Sequence, residues 1–357
     1  MLFFTPGPSQ LYPTVKKHIN TALDLDITSI SHRSNQYIEI HKTAVDGLNE
    51  LLCLDGQFSV FFGGSATEMM ERILQIRLVR HSVHLVNGAF SKRFYQIARA
   101  ENLTTSIFSR NDGDGFHTPL EDFPEQADIL CMTHNETSTG VITPSSLVNS
   151  VKSKYPQLKI VLDMVSSVPA IPFDVNHVDC AFFSVQKGFG LPSGLGVLLI
   201  KNTYLQDVLT SSDQDRGERY HSISSWNNYG SKYQTPETPN VLGIYLLGKI
   251  IQDMIAVGID KIRTNTMYKF EMIKKMVMTH SDLSMFVQHE KFQSPTVSTI
   301  NVKGDSHKVV SKLMIKGMQV GFGYGQYKSD QIRIANFPAH SIKDMEKLCD
   351  VLGNERF

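Results

Sequence analysis

Lys187 follows the apolar run Ala181-Phe-Phe-Ser-Val by one glutamine and is followed at once by Gly188-Phe189-Gly190. An amine at the exit of an apolar strand, facing a glycine-rich turn, sits at low dielectric, which lowers its pKa toward that of a usable nucleophile. The plainer alternative is a surface lysine just past a strand. Twenty-four residues earlier, Asp163 ends the apolar run Ile160-Val-Leu-Asp163. A carboxylate at the C-terminal end of an inner strand of an open α/β sheet lies where such sheets bind ligands; capping of a turn is the alternative. Phe61-Phe62-Gly63-Gly64-Ser65-Ala66-Thr67-Glu68 puts glycines and small polar residues between a strand and a helix. Backbone N–H groups there converge on an anion with the helix dipole behind them, unless this is an ordinary turn with Ser65 or Thr67 as N-cap. A nucleophilic lysine, a strand-end aspartate and a phosphate cradle are together what pyridoxal phosphate requires.

Positioning these groups needs a regular scaffold, and residues 58 to 201 repeat one grammar of apolar run, small polar turn and amphipathic stretch. That grammar predicts alternating strands and helices. The strands are expected at residues 58 to 63, 82 to 87, 104 to 109, 128 to 134, 159 to 165, 179 to 185 and 195 to 201, with helices at 66 to 80, 91 to 101 and 145 to 154. Continuous apolar runs suit a sheet covered on both faces, mostly parallel, with the seventh run hairpinned onto the sixth. Residues 244 to 255 and 259 to 278 read as long helices. Beyond residue 286, short strands at 297 to 302 and 331 to 336 around a helix at 307 to 316 predict a small α+β unit. The expected division is a large domain at 15–255 and a small one at 256–357, with residues 1–14 packing near the latter. The polar stretch 211 to 228 reads as a surface excursion. Gly243-Ile-Tyr-Leu-Leu-Gly248-Lys249-Ile250 imitates a nucleotide-binding loop, but no strand precedes it and its interior is what a buried helix wants.

Hydrophobic residues at 41% and charged residues at 20% exclude intrinsic disorder. Thirty-five basic residues balance thirty-five acidic ones, so no net field draws nucleic acid or an anionic membrane. No run reaches the roughly 18 to 20 apolar residues of a membrane span, and the start MLFFTPGPSQ has no basic leader region; a cytoplasmic protein is expected. Four scattered cysteines read as small buried hydrophobes, with neither a disulfide framework nor a metal site expected.

Ordered matches along nearly the whole chain resemble the class V, fold-type I aminotransferases, and within them the phosphoserine aminotransferase branch. They are FFTPGPS at 3 to 9, SHRS at 31 to 34, FFGGSATE at 61 to 68, NGAF at 87 to 90, HNETSTGV at 134 to 141, LDMVSS at 162 to 167, SVQKGFGLPSG at 184 to 194 and YQTPETPN at 233 to 240. The resemblance implies a large domain with a mostly parallel seven-stranded sheet between helices, plus a small C-terminal α+β domain. It implies pyridoxal 5'-phosphate held as a Schiff base on Lys187, which then shuttles the substrate proton. Asp163 would pair with the ring nitrogen, Phe90 stack on the ring, Thr137 hydrogen-bond the ring region, and Gly64, Ser65, Ala66 and Gln186 surround the phosphate. Thr235 would join them from the second subunit of a homodimer. Arg333 would clamp the substrate α-carboxylate, and His32 and Arg33 would reach across the dimer to a distal anion. The implied reaction exchanges an amino group between O-phosphoserine and 2-oxoglutarate, giving 3-phosphohydroxypyruvate and glutamate, in serine biosynthesis.

The chain departs from that branch in three places. No arginine follows the glycines at Ser65-Ala66-Thr67; Gly323-Tyr324-Gly325-Gln326-Tyr327 stands where Gly-His-Arg is typical; and Gln234-Thr235 replaces Asn-Thr. His340, just after Asn336-Phe337-Pro338, is a further basic group that would restore some positive character, but an exposed histidine in a turn is the favoured reading. These differences keep two other readings open: an alanine- or serine-glyoxylate type transaminase of the same class, and a non-catalytic binding protein that retains the fold. The cysteine desulfurase reaction is disfavoured, since no cysteine lies between Cys180 and Cys349.

Overall fold

The computed structural model describes residues 1–211 and 219–355. The chain opens with a short strand, β1 (Leu2–Phe4), then helices α1 (Val15–Asp24) and α2 (Asn35–Leu51). The expected alternation follows: β2 (Phe58–Gly63), α3 (Ala66–Leu74), β3 (His81–Val86), α4 (Ala89–Ala100), β4 (Thr104–Ser109), β5 (Ile129–Thr133), the small ribbon β6 (Asn135–Glu136) and β7 (Val141–Ile142), α5 (Ser145–Lys154), β8 (Lys159–Asp163), β9 (Cys180–Ser184) and β10 (Gly196–Lys201). Seven of these strands form one sheet in the order β2-β10-β9-β8-β5-β3-β4. Only β10 runs antiparallel to its neighbours, pairing Gly196 with Ser184 on β9 and with Gly63 on β2. The expected hairpin is therefore present.

Both faces of the sheet are covered, as its unbroken apolar strands require. On β9, Phe182 and Phe183 point to opposite sides and are both fully buried. Phe182 meets Phe94 of α4 edge-on with ring centroids at 5.6 Å, while Phe183 stacks on Phe189 at 5.0 Å. Each such side chain contributes about 1.5–3 kcal/mol. The helix expected at 66 to 80 stops at Leu74. Ile76 and Val79 still reach the core, but through turns, so the apolar spacing outlasts the helix. Helices α6 (Asn202–Thr210), α7 (Ile223–Gly230), α8 (Val241–Val257) and α9 (Ile259–Thr279) follow. Part of the expected surface excursion, residues 212–218, lies outside the described residues; past it the chain departs from expectation, because α7 buries Ile223 and Trp226. The nucleotide-loop look-alike lies inside α8, where Ile244, Leu246, Leu247 and Ile250 are buried.

The second sheet comprises β11 (Leu283–Met285), β12 (Val297–Val302), β13 (Met318–Phe322) and β14 (Gln331–Ala335), with α10 (Ser306–Ile315) between β12 and β13, and α11 (Ile342–Asn354) after β14. Its order is β1-β13-β14-β12-β11, so the N-terminal strand joins it, parallel to β13. The segment after β1 then bonds the large sheet's side: Ser9 N–H donates to Gln186 O at 3.2 Å and Tyr12 N–H to Gly190 O at 2.8 Å. Of the cysteines, Cys131 and Cys180 are buried and Cys349 partly so; Cys53, against expectation, is exposed. It occupies the turn after α2 with φ 54°, so the turn geometry rather than apolar neighbours decides its position. Among the described residues no single helix is long and apolar enough to cross a membrane, and no cluster of metal-ligating side chains occurs.

Candidate active site

Four strands of the large sheet, β2, β5, β8 and β9, deliver their following residues to one edge, and there a cavity of about 530 Å³ opens. Ser65 and Ala66 (after β2), Thr133, Asn135 and Thr137 (end of β5 and beyond), Asp163 (end of β8), and Gln186 and Lys187 (after β9) all line it. Phe90 enters from the start of α4, and Arg333 from β14 of the small sheet. Residues more than 250 positions apart thus share one site.

Lys187 is 6% exposed, its Nζ donates to Thr137 Oγ1 at 2.9 Å, and it sits 5.1 Å above the Phe90 ring centroid. Asp163 is 3% exposed and accepts from Val165 N–H at 2.9 Å. Burial pushes the Asp163 carboxyl up and the Lys187 ammonium down, each toward its uncharged form, while their mutual attraction opposes both shifts. The Thr137 hydroxyl donates in turn to Ser166 Oγ at 2.8 Å, and Asn135 Nδ2 donates to the same oxygen at 2.7 Å. Lys187 is therefore held by a chain of buried hydroxyls rather than by a carboxylate.

Arg333 spends two N–H groups on its own fold: Nε donates to Phe322 O at 2.8 Å and Nη1 to Thr137 O at 3.0 Å. Its guanidinium lies 5.3 Å from the Tyr324 ring centroid, and Tyr324 lies 5.6 Å from Phe90. Burial lowers the Arg333 pKa to about 10, which leaves it charged at neutral pH. The rigid fork has its remaining donors for an anion.

At the expected cradle, Ser65 caps α3 by accepting from Glu68 N–H at 3.1 Å. The Ala66 N–H donates to Ser184 Oγ at 2.8 Å, and the Gly64 N–H to Glu68 Oε2 at 2.7 Å. Gly64 lines a neighbouring cleft with Glu68, not this cavity. His32, Arg33 and Thr235 also lie outside the cavity of their own chain. Arg33 donates to Gln234 Oε1 at 3.0 Å, Thr235 O at 2.7 Å and Pro236 O at 3.3 Å, and stacks 4.7 Å over Tyr229. It thus braces the loop that carries Thr235. His340, expected as an exposed turn residue, is instead buried against Phe4, its Nε2 at 2.9 Å from Phe3 O, because it serves the packing of β1.

Two groups of cavity residues had no assigned role in the sequence. Thr5 to Pro8 cross the site, and Gly7, at φ 144°, leaves room for the lysine: a Cβ there would stand 2.7 Å from Lys187 Cε. Val310, Met314, Gln319 and Tyr324 close the side toward the small sheet. The run at residues 3 to 9 was conspicuous, but only the pairing of β1 with β13 brings it here.

The residues present fit a flat, phosphorylated aldehyde cofactor. The cavity pairs an aromatic face with a buried amine and a buried carboxyl, and three buried polar atoms in its wall, Thr133 Oγ1, Asn135 Oδ1 and Gln186 Oε1, have no hydrogen-bond partner among the described residues. Such atoms also occur elsewhere in the fold, as at His41 Nε2 and Trp226 Nε1, so it is their gathering on one wall beside Lys187 and Asp163 that fits a polar ligand.

Residues 2–327 match the aminotransferase class-V family. The chain is 26% identical over 351 residues to a phosphoserine aminotransferase of Rhodococcus opacus, covering 97% of this chain and 92% of that one. It is 41% identical, with a TM-score of 0.96, to the crystal structure of a phosphoserine aminotransferase from Cytophaga hutchinsonii, covering 100% of this chain and 99% of that one. An alanine–glyoxylate aminotransferase from Nostoc shares the fold, with a TM-score of 0.82 at 18% identity, 99% of this chain and 94% of that one being covered. With its lysine, aspartate and arginine gathered on one cavity and the family's pattern matched over most of its length, the chain belongs to the class-V aminotransferases.

Proposed function

We propose that this chain is a phosphoserine aminotransferase using pyridoxal 5'-phosphate, moving an amino group from O-phosphoserine to 2-oxoglutarate or the reverse. The observation that carries the reading is the convergence of Lys187, Asp163 and Arg333 on one cavity walled by Phe90. Pyridoxal phosphate, when bound, supplies the electron sink for the pair left at the substrate α-carbon. Lys187 would carry it, Asp163 would face the ring nitrogen, Phe90 the ring, and Ser65, Ala66 and Gln186 the phosphate, with Gly64 behind that turn. Lys187 Nζ, kept toward its neutral form by burial and steadied by Thr137 Oγ1, is able to take a proton from the α-carbon and return it. Arg333 fixes the α-carboxylate and so aims the α C–H at that amine. Residues 5 to 8 and the apolar side chains of Val310 and Met314 on α10 wall the cavity.

Among the described residues, the cationic side chains lining the cavity are Lys187 and Arg333. A substrate phosphate would then take its counter-charge from His32 and Arg33 of a second copy, with Thr235, on the separate loop that Arg33 braces, arriving beside the cofactor phosphate. The same observation favours, as the second reading, a transaminase for an unphosphorylated amino acid. A half-reaction separates them. The protein is loaded with pyridoxal phosphate and its absorbance followed as O-phosphoserine, glutamate, alanine and serine are added singly. Conversion by O-phosphoserine and glutamate but not alanine is expected. Conversion by alanine or serine alone transfers the function to the second reading. Lys187→Ala is expected to abolish the borohydride-reducible chromophore, and an unchanged spectrum would refute the role of Lys187.

A further inference from the structure

Glu136 precedes Thr137 in the chain and is fully buried, yet nothing above uses it. Its two oxygens collect donors from two separate elements. Oε2 accepts from Ser91 N–H at 2.8 Å and Ser91 Oγ at 2.9 Å, while Oε1 accepts from Phe90 N–H at 3.3 Å, Ser138 N–H at 3.1 Å and Ser138 Oγ at 2.7 Å. Ser138 Oγ also accepts from Ala89 N–H at 2.9 Å. The N-cap of helix α4 is Gly88, which has no side chain to satisfy the first turn; Glu136 of β6 supplies that cap instead. Its approach is so close that a Cβ on Gly88 would stand 2.4 Å from Glu136 Cγ. A buried carboxylate needs compensation, and here the amide groups and positive dipole end of α4 provide it.

The two sides that Glu136 joins are the two sides of the cavity. Phe90, whose N–H it accepts, is the aromatic wall. Thr137, the next residue, holds Lys187 Nζ through its hydroxyl and Arg333 Nη1 through its carbonyl. We propose that Glu136 is a positioning residue for transamination, setting the gap between the Phe90 wall and the Lys187–Thr137–Arg333 side into which the flat cofactor ring fits. The proposal rests on the pyridoxal phosphate reading given above. An acceptor-only carboxylate suits five converging donors; a glutamine keeps one acceptor and turns an NH₂ onto groups that are themselves donors. The charge also acts at a distance: among Asp163, Arg333 and Glu136, the charged groups around Lys187, it is one of the two that favour the ammonium form.

The test compares wild type, Glu136→Gln and Ser138→Ala. Three readouts are taken: the dissociation constant for pyridoxal phosphate by equilibrium dialysis, visible circular dichroism of the bound cofactor, and the rate of reductive methylation of Lys187 in the cofactor-free protein at pH 7.5. Glu136→Gln is expected to weaken cofactor binding about tenfold or more, the scale of one lost charge-assisted hydrogen bond. It is also expected to diminish the visible dichroism and to speed Lys187 methylation, because the ammonium has lost a partner. Followed from pH 6.5 to 9, the methylation profile moves to lower pH when the charge is lost, whereas loosened packing around this 6%-exposed lysine speeds methylation without moving the profile. A folded Glu136→Gln with binding, dichroism and methylation rate within twofold of wild type overturns the proposal. If Glu136→Gln does not fold, Ser138→Ala decides, since it removes one arm and leaves the charge: severalfold weaker binding supports the proposal and unchanged binding overturns it. A wild-type protein that takes up no pyridoxal phosphate refutes the functional reading and this proposal with it, whereas failure of the variants alone refutes only the proposal.

Discussion

Replacing Arg333 with lysine keeps the charge and removes the fork. Of the five N–H groups on an arginine, Nε and one of Nη1 are committed to Phe322 O and Thr137 O; the remaining three are free for a carboxylate. Those two internal bonds and the Tyr324 ring fix the plane of the guanidinium before substrate arrives, so little rotamer freedom remains to be lost on binding. A lysine presents one nitrogen, which cannot serve both carbonyls and two carboxylate oxygens. The variant loses one charge-assisted bond of the bidentate pair, about 1.5–3 kcal/mol, which corresponds to roughly 10–150-fold in kcat/KM. The assay is stopped-flow absorbance of each half-reaction, with the amino donor and then with the oxo acid. Both are expected to lose by similar factors, chiefly through KM, because one arginine receives both α-carboxylates in turn, while the cofactor spectrum without substrate is retained. Half-reactions within threefold of wild type, or a loss confined to one of the two, would show that Arg333 is not the carboxylate clamp.

Two further outcomes follow from burial and from the placement of Thr235. Burial lowers His41, His134 and His340 to about 4 and His84 to about 3, from 6.5. Each is neutral in the folded protein and charged in the unfolded chain below pH 6.5, so their contribution is complete above that pH and falls as pH drops toward 4, by about 2 kcal/mol each at pH 5. Urea midpoints at pH 7.5 and 5.0 test this, and equal midpoints would contradict it. Thr235 lies outside its own chain's cavity, so mixing Lys187→Ala and Thr235→Ala subunits is expected to restore one wild-type site in each heterodimer, about a quarter of all sites in an equimolar, fully exchanged mixture; no recovery after verified subunit exchange would rule out its action across a dimer.

The large sheet was readable because each of its strands carries a local signature. Residues 58 to 63, 104 to 109 and 145 to 154 fall as expected, since apolar runs bounded by glycine, serine or asparagine leave little freedom in where an element starts. The exits of β8 and β9 gave Asp163 and Lys187 for the same reason. Three strands of the small sheet were not readable. β1 and β11 have three residues each, too few to show a period of two, and β13 carries a glycine in its Met-Gln-Val-Gly-Phe run. The helix at α7 was hidden by its serines and asparagines, although Trp226, the chain's single tryptophan, marks where it is buried.

The part of the site that sequence left without a role is the part built by long-range pairing. Lys187, Asp163 and Thr137 share a site because β9, β8 and β5 are adjacent and parallel, and that follows from the order of units along the chain. Gly7 and Arg333 meet Lys187 for another reason: β1 pairs with β13, which pairs with β14, and β14 carries Arg333. A three-residue strand at the very start of the chain therefore fixes the small sheet's edge, and the turn after it lies across the lysine. Glu136 belongs to the same category. Its neighbours in sequence are polar turn residues, and nothing in Asn135-Glu136-Thr137-Ser138 distinguishes a solvated carboxylate from a buried one. The distinction comes from the uncapped start of α4 brought against it, where Gly88 offers no side chain and the amide groups of Phe90 and Ser91 need an acceptor. Where a helix lacks its own cap and its first turn forms a cavity wall, the residue that supplies the cap also holds that wall in place.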